Sequence, residues 1–257
     1  MRVVVTGASS GIGRSFALAF AARGDTVVLS ARDEKALAAV AREVADKGGT
    51  AVVCAADVTR EPDRVRLASV ATEGGAAVDV LVNNAGRGYY GAIVDVDVKE
   101  LEDIFALNVI APLRLTQLLL EPLGRARGTV LMMSSVAGVV SAPKLGAYAA
   151  SKFALEAISI ALRAEVAARG VRVLVVRPGP VDTPFRANAV VAQAEAGVRP
   201  KGAKVQTPDD VAELAMRALA KGRDVVETSA FVRVASFASR VTPPLFRVIA
   251  KRMAKKA

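Results

Sequence analysis

Seven short runs of β-branched and aliphatic residues, at 2–6, 26–30, 51–55, 79–83, 129–134, 171–177 and 224–228, punctuate the 257-residue chain. In most of them apolar residues follow one another without polar alternation, the pattern of strands covered on both faces. Between them, at 12–23, 33–47, 62–73, 98–120, 146–169 and 208–221, lie longer segments whose apolar positions recur with helical period. This βαβα order predicts an α/β fold, a doubly wound parallel sheet with helices on both faces. With no internal repeat, Ser/Gly linker or low-complexity tract, residues 1–227 read as one α/β domain.

Two segments break the rhythm. Residues 180–206 are rich in alanine with scattered Arg186, Arg199, Lys201 and Lys204, and they follow a strand, where α/β proteins place ligand-facing loops. They read as a substrate lid, with Phe185, Val190 and Val191 as an apolar wall. The second is 228–257, a basic C-terminal extension with no acidic residue and seven basic ones. The chain carries a net charge of +10, so this extension leaves only +3 for the rest. A nearly balanced body with a basic tail gives no reason to expect nucleic acid. In the tail Leu245, Phe246, Val248, Ile249 and Met253 fall mostly on one side of a helix, with Arg247, Lys251 and Lys255 opposite and Arg252 on the apolar side. Such a helix suits peripheral contact with an anionic membrane or a partner. It equally suits packing on its own fold or on a second subunit, with Phe231, Phe237, Pro243 and Pro244 as anchors.

Composition removes several chemistries. The chain has no histidine, hence no Ser-His-Asp triad and no zinc site that mixes His with other ligands. A single cysteine, Cys54, forbids an internal disulfide and a Cys-cluster metal site, so no metal is expected. Hydrophobic residues are 53% of the chain but aromatics only 4%, which predicts a core of small aliphatic side chains. No run reaches the roughly 18 apolar residues of a membrane span, and the three valines before Gly7 are too short for a signal-peptide core. The expected location is therefore the cytoplasm.

The first strand leads into Thr6-Gly7-Ala8-Ser9-Ser10-Gly11-Ile12-Gly13, and a helical pattern follows at once. Glycines there allow a tight turn, close approach of backbone to a pyrophosphate and close helix packing, while the N–H groups of the helix start attract phosphate. At the end of the second strand, where an acidic residue would hold the ribose 2′-hydroxyl of NAD, stand Ala31 and Arg32. A guanidinium there grips a 2′-phosphate and favours NADP(H) over NAD(H). The alternative is an arginine that caps a solvated strand end, with Asp33 beside it as an ion-pair partner.

Without histidine, acid-base work falls to carboxylate, lysine, tyrosine or cysteine. Tyr148 and Lys152, four apart in a predicted helix, project from one face. A tyrosine titrates near ~10, and a neighbouring ammonium favours its phenolate, bringing proton exchange nearer neutral pH. Ser135, at the end of a strand, has a hydroxyl suited to a substrate oxygen. Tyr89 and Tyr90 stand either at a pocket mouth or in ordinary loop packing.

Taken together, Thr6 to Gly13, Asp57-Val58, Asn83-Asn84-Ala85-Gly86, Asn108, Ser134-Ser135, Tyr148 with Lys152, and Arg177-Pro178-Gly179 with Thr183 resemble the short-chain dehydrogenase/reductase family. These motifs run in family order over about residues 1 to 185. The resemblance implies a single Rossmann-type sheet of about seven strands, and Tyr148 as proton donor in carbonyl reduction. Lys152 would hold the nicotinamide ribose, Ser135 would orient the substrate oxygen, and Asn108 would complete a proton relay by fixing a water near Lys152. Gly7, Ser9, Ser10, Gly11, Ile12 and Gly13 would cradle the pyrophosphate, and Asp57 and Val58 would contact adenine. Asn84, Ala85 and Gly86 would line the adenosine side, while Pro178, Gly179, Val181 and Thr183 would face the carboxamide. The expected protein is a homo-oligomeric oxidoreductase acting on a small carbonyl or alcohol. A cofactor-binding sensor or scaffold on the same fold, or an NAD-dependent alcohol dehydrogenase, is the alternative.

Overall fold

The computed structural model describes residues 1–185, 189–191 and 205–241. Seven strands, β1 (Arg2–Thr6), β2 (Thr26–Ala31), β3 (Thr50–Ala55), β4 (Val80–Asn83), β6 (Thr129–Met133), β7 (Arg172–Arg177) and β9 (Val225–Glu227), form one parallel sheet in the order β3-β2-β1-β4-β6-β7-β9. A separate parallel pair joins β5 (Tyr89–Tyr90) to β8 (Val190–Val191).

The uninterrupted valine runs are explained by the two faces they serve. Val3 and Val5 of β1 point to one side, with Phe16 and Phe20 of α1 (Gly11–Ala21), Leu37 and Val40 of α2 (Glu34–Asp46), and Val211 and Ala215 of α8 (Pro208–Ala220). Val4, between them, packs on the other side with α3 (Glu61–Ala71), α5 (Ala111–Leu118), α6 (Leu120–Ala126) and α7 (Gly146–Val166), which contribute Leu67, Leu115, Leu123 and Leu155. Successive strand residues face opposite layers, so apolar residues follow one another without alternation.

Where the sequence predicts one helix over 98–120, the chain forms α4 (Val98–Phe105), a π-helical turn at Ala106–Ile110, and α5. Such widened turns occur at functional sites, and this one carries Asn108. The last helix, α9 (Ala230–Val241), lies within the predicted extension. Val232 and Ser236 hold it to the body, whereas Phe231 and Phe237, expected as anchors, are exposed. The amphipathic stretch from Leu245 to Lys255 and most of the predicted lid lie outside the described residues.

β1 pairs with β2 on one side and β4 on the other, so the strand order reverses between β1 and β4. The crevice above the carboxyl ends of these two strands is where open parallel sheets bind ligands. The glycine-rich turn and Asn84 to Gly86 both open there.

Candidate active site

Thr6 ties the two turns of the crevice together. Its hydroxyl donates to the Val82 carbonyl at 3.2 Å and accepts from the backbone N–H groups of Asn84 and Ala85, each at 3.0 Å. The Asn84 carboxamide donates to the carbonyls of Thr6 at 3.0 Å and Gly7 at 3.3 Å, so that side chain braces the glycine turn. A methyl at Gly13 would stand 2.1 Å from the Gly7 carbonyl oxygen, a contact no side chain can make. Gly7 also holds φ at +64°, which favours glycine. Ser10 is the N-cap of α1 in extended conformation, yet its side chain caps nothing. The first N–H groups of α1 are thereby left for an anion.

The remaining cofactor candidates sit around this turn. Thr183 packs its methyl toward Gly11, where an added Cβ would lie 3.1 Å away, so the segment after β7 closes over the helix start. That segment is fixed by a bridge between Val181 and Gln206 and by the bond from Val136 N–H to the Pro178 carbonyl, 2.8 Å long. Gly179 meets Ser229 and Val232 at the start of α9. Asp57 accepts from the Thr59 amide at 2.9 Å and hydroxyl at 2.7 Å, which shapes the loop after β3, and Val58 is buried behind it. Arg32 is exposed at the end of β2 with no ion-pair partner among the described residues. Asp33 does not pair with it, because its carboxylate caps α2 by accepting from the Ala36 amide at 3.0 Å.

The residues expected from the sequence to handle protons meet at the carboxyl ends of β4 and β6. The strand predicted through residue 134 ends at Met133, and Ser135 instead caps a short 3-10 turn, Val136–Gly138. Its oxygen accepts from the Ala137 amide at 3.1 Å and is hydrogen-bonded to the Tyr148 phenol. Ser134 is buried with its hydroxyl unpartnered, facing Gly138. Lys152, one turn of α7 after Tyr148, is 4% exposed and donates to the Met133 carbonyl at 2.8 Å. Its nitrogen lies 5.9 Å from the centre of the tyrosine ring.

Asn108 is clamped from both sides. Its carboxamide nitrogen donates to the Arg87 carbonyl at 2.9 Å and to the Ser151 hydroxyl at 3.0 Å, and its oxygen accepts from the Arg87 amide at 3.0 Å. Both side-chain donors are thus committed to protein atoms. Ser151 and Arg87 escaped the sequence reading, although Ser151 lies within the Tyr148-to-Lys152 segment. Gly86 lies against this group: a Cβ there would be 3.1 Å from the Asn108 oxygen and 3.7 Å from the Lys152 nitrogen.

Burial governs the electrostatics here. It holds the Tyr148 phenol above its ordinary range, opposed by the bond to Ser135 and reinforced by Tyr90. The shift is thus upward, where the sequence predicts a pull toward phenolate. The same desolvation pushes Lys152 down to about 8, against an upward pull from Glu156. Glu156, one turn further along α7, is itself buried in a two-bond pair with Arg177, at 2.9 and 2.8 Å. The two tyrosines of β5 part company. Tyr89 is core, packed with Ile104 and Ala147, whereas Tyr90 acts on the Tyr148 phenol. Phe185 stands against the Tyr148 ring, with ring centres 5.8 Å apart, and Val190 packs with the Tyr89 cluster.

A sequence model described as short chain dehydrogenase matches residues 1–194. The chain belongs to the short-chain dehydrogenase/reductase family. It is 37% identical over 270 residues to Dehydrogenase/reductase SDR family member 7B of Bos taurus, covering 99% of this chain and 82% of that one. Among solved structures it resembles a short-chain dehydrogenase from Sphingobium yanoikuyae in complex with NADPH, at 26% identity and a TM-score of 0.79 over 95% of this chain and 94% of that one. It also resembles a family member from Burkholderia phymatum in complex with NAD, at 26% identity and 0.79 over 90% and 91%. Membership makes the chain an NAD(P)-dependent oxidoreductase, in accord with the seven-stranded parallel sheet.

Proposed function

We propose that this family member is an NADP(H)-dependent oxidoreductase that interconverts a carbonyl and a secondary alcohol, with Tyr148 as the acid-base group. The observation that carries the reading is the convergence of Ser135 and Lys152 on Tyr148, with Phe185 against the tyrosine ring.

The residues fit a dinucleotide. The uncapped first turn of α1 suits a pyrophosphate, and the free Arg32 guanidinium at the end of β2 suits a 2′-phosphate. The nicotinamide, when bound, supplies or accepts the hydride. Everything else is asked of the chain itself. Tyr148, held neutral by burial, is a proton donor at neutral pH, which suits reduction. Ser135 spends one lone pair on the Ala137 amide, leaving its proton for the phenol or a substrate oxygen. Lys152 gives one of its three donors to Met133, so two remain for ribose hydroxyls. Asn108 keeps Arg87 and Ser151 in place behind the lysine, and Phe185 and Tyr90 keep water from the phenol.

Loss of NADPH and of NADH absorbance against aldehydes, ketones and ketoacyl thioesters tests this. The expected result is consumption with at least one carbonyl class and preference for NADPH. Preference for NADH would overturn the cofactor assignment, and no consumption with any carbonyl would favour a cofactor-binding sensor.

A further inference from the structure

A second concavity opens at the other end of the sheet. Its volume is about 210 Å³, and the residues that begin β4, β6 and β7 wall it together with the end of α8. The glycine-rich turn and Ser135 follow the carboxyl ends of strands in the same sheet, so this cavity is separate from the site described above. One water needs roughly 10–15 Å³ and drug-sized ligands take roughly 300 Å³ or more. The space between those bounds suits a small ion or metabolite.

Three guanidiniums border it. Arg23 is paired with Asp25 at 3.4 Å, but Arg127 and Arg172 have no anionic partner among the described residues. Arg127 is the C-cap of α6 at φ +48°, a left-handed conformation uncommon outside glycine, asparagine and aspartate. Its side chain lies along Gly170, where an added Cβ would be 3.1 Å from the Arg127 Cγ. The Arg172 guanidinium lies over Gly222 in the same way, 3.0 Å from where a Cβ would stand. Between them Thr129, only 3% exposed, lines the cavity, and its hydroxyl bonds to no described residue. A buried hydroxyl without a partner is the exception in a folded chain. Here it borders an open space ringed by unpaired cations.

The remaining charge on the wall narrows the ligand. Asp79 is the one carboxylate among the described lining residues, and one of its oxygens accepts from the Arg2 amide at 2.6 Å. An anion bound by the arginines must therefore tolerate a neighbouring carboxylate. Phosphate does so, because it keeps a proton that the carboxylate accepts, and a nearby negative charge favours keeping it. Sulfate has no such proton at neutral pH and would be repelled. The donors also come from three separate turns, after α1, before β6 and before β7. That arrangement matches a tetrahedral oxyanion better than a planar carboxylate, for which one guanidinium fork suffices.

We infer that this cavity is a phosphate-binding site, in which Arg127, Arg172 and the Thr129 hydroxyl donate to the anion and Asp79 accepts its proton. The test is calorimetric titration of the full chain with inorganic phosphate, glycerol 3-phosphate and sulfate, at neutral pH and matched ionic strength. The wild type should bind both phosphates saturably and at least about tenfold more tightly than sulfate. The double variant Arg127→Gln with Arg172→Gln should weaken both phosphates by at least about tenfold, with no fall in the melting temperature of the unliganded protein. Asp79→Asn should bind sulfate as well as phosphate. Tighter binding of glycerol 3-phosphate would support a phosphomonoester as the occupant, and tighter binding of inorganic phosphate the free ion. Absence of saturable binding by either phosphate would overturn the inference. Unchanged binding in the double variant would also overturn it, because the anion would then sit elsewhere, as at the glycine-rich turn. Equal affinity of the wild type for sulfate and phosphate would show an adventitious ion only, drawn to exposed arginines, and would overturn it as well.

Discussion

Replacing Arg177 by methionine should be among the most damaging single changes to this fold. The guanidinium sits at the end of β7 with its side chain 6% exposed, bonded through two nitrogens to Glu156, whose side chain is 8% exposed. A third bond, of 3.1 Å, reaches Glu227 on β9. Methionine conserves much of the volume but strands the Glu156 carboxylate in the interior. Breaking a buried pair in this way costs about 3–5 kcal/mol. At roughly 2–4 °C of melting temperature per kcal/mol for chains near this size, the expected drop is roughly 6–20 °C. Thermal and urea unfolding of wild type, Arg177→Met and the double variant Arg177→Met with Glu156→Gln would measure it. The double variant should recover much of the loss, because it removes the uncompensated charge. A single variant that loses less than about 1 kcal/mol, the worth of an exposed pair, would refute the claim that this pair is buried and mutually dependent.

Other expectations concern the site directly. Gly13→Ala should abolish measurable dinucleotide binding and cost about 1–3 kcal/mol of stability, because its methyl has no room beside the Gly7 carbonyl; calorimetric titration with NADPH showing wild-type affinity would contradict this. Arg32→Ala should raise the KM for NADPH by about 10- to 100-fold, from the loss of charge-assisted hydrogen bonds, and leave that for NADH nearly unchanged. Lys152, at about 8, loses its proton as pH rises through that value, so kcat/KM should fall above it; a profile flat to high pH would show that the ammonium is not required. In the unfolded chain the same lysine keeps its proton up to about 10.5. Between the two values the unfolded state binds more protons, so this residue makes stability rise with pH across that window. Urea midpoints of wild type and Lys152→Met across that window would show it as a slope present in the first and absent from the second.

The valine runs made the sheet legible, because a strand buried on both faces has no other way to be written. The glycine-rich turn was legible for the same reason: only glycine fits where Gly13 meets Gly7. The helix over 98–120 misled, since a π-helical turn preserves composition and nearly preserves period while shifting the backbone, and the Asn108 side chain and Arg87 backbone that it brings together are far apart in sequence. The direction of the Tyr148 shift was also hidden. Spacing reports that Lys152 shares its face, but not that Phe185 and Tyr90 close around the phenol. Phe231 and Phe237 look like anchors in the sequence until their exposure is known.

In the proposed reaction one phenol moves the proton. Tyr148→Phe keeps the ring against Phe185 and removes only the hydroxyl, so the variant should fold and bind NADPH as the wild type does. Its steady-state turnover of whichever carbonyl the wild type reduces should fall by about 10²–10⁴-fold, the worth of a positioned general acid. Turnover within about tenfold of wild type, with NADPH affinity unchanged, would contradict the account, because general acid catalysis of the size claimed could not then be resident on Tyr148.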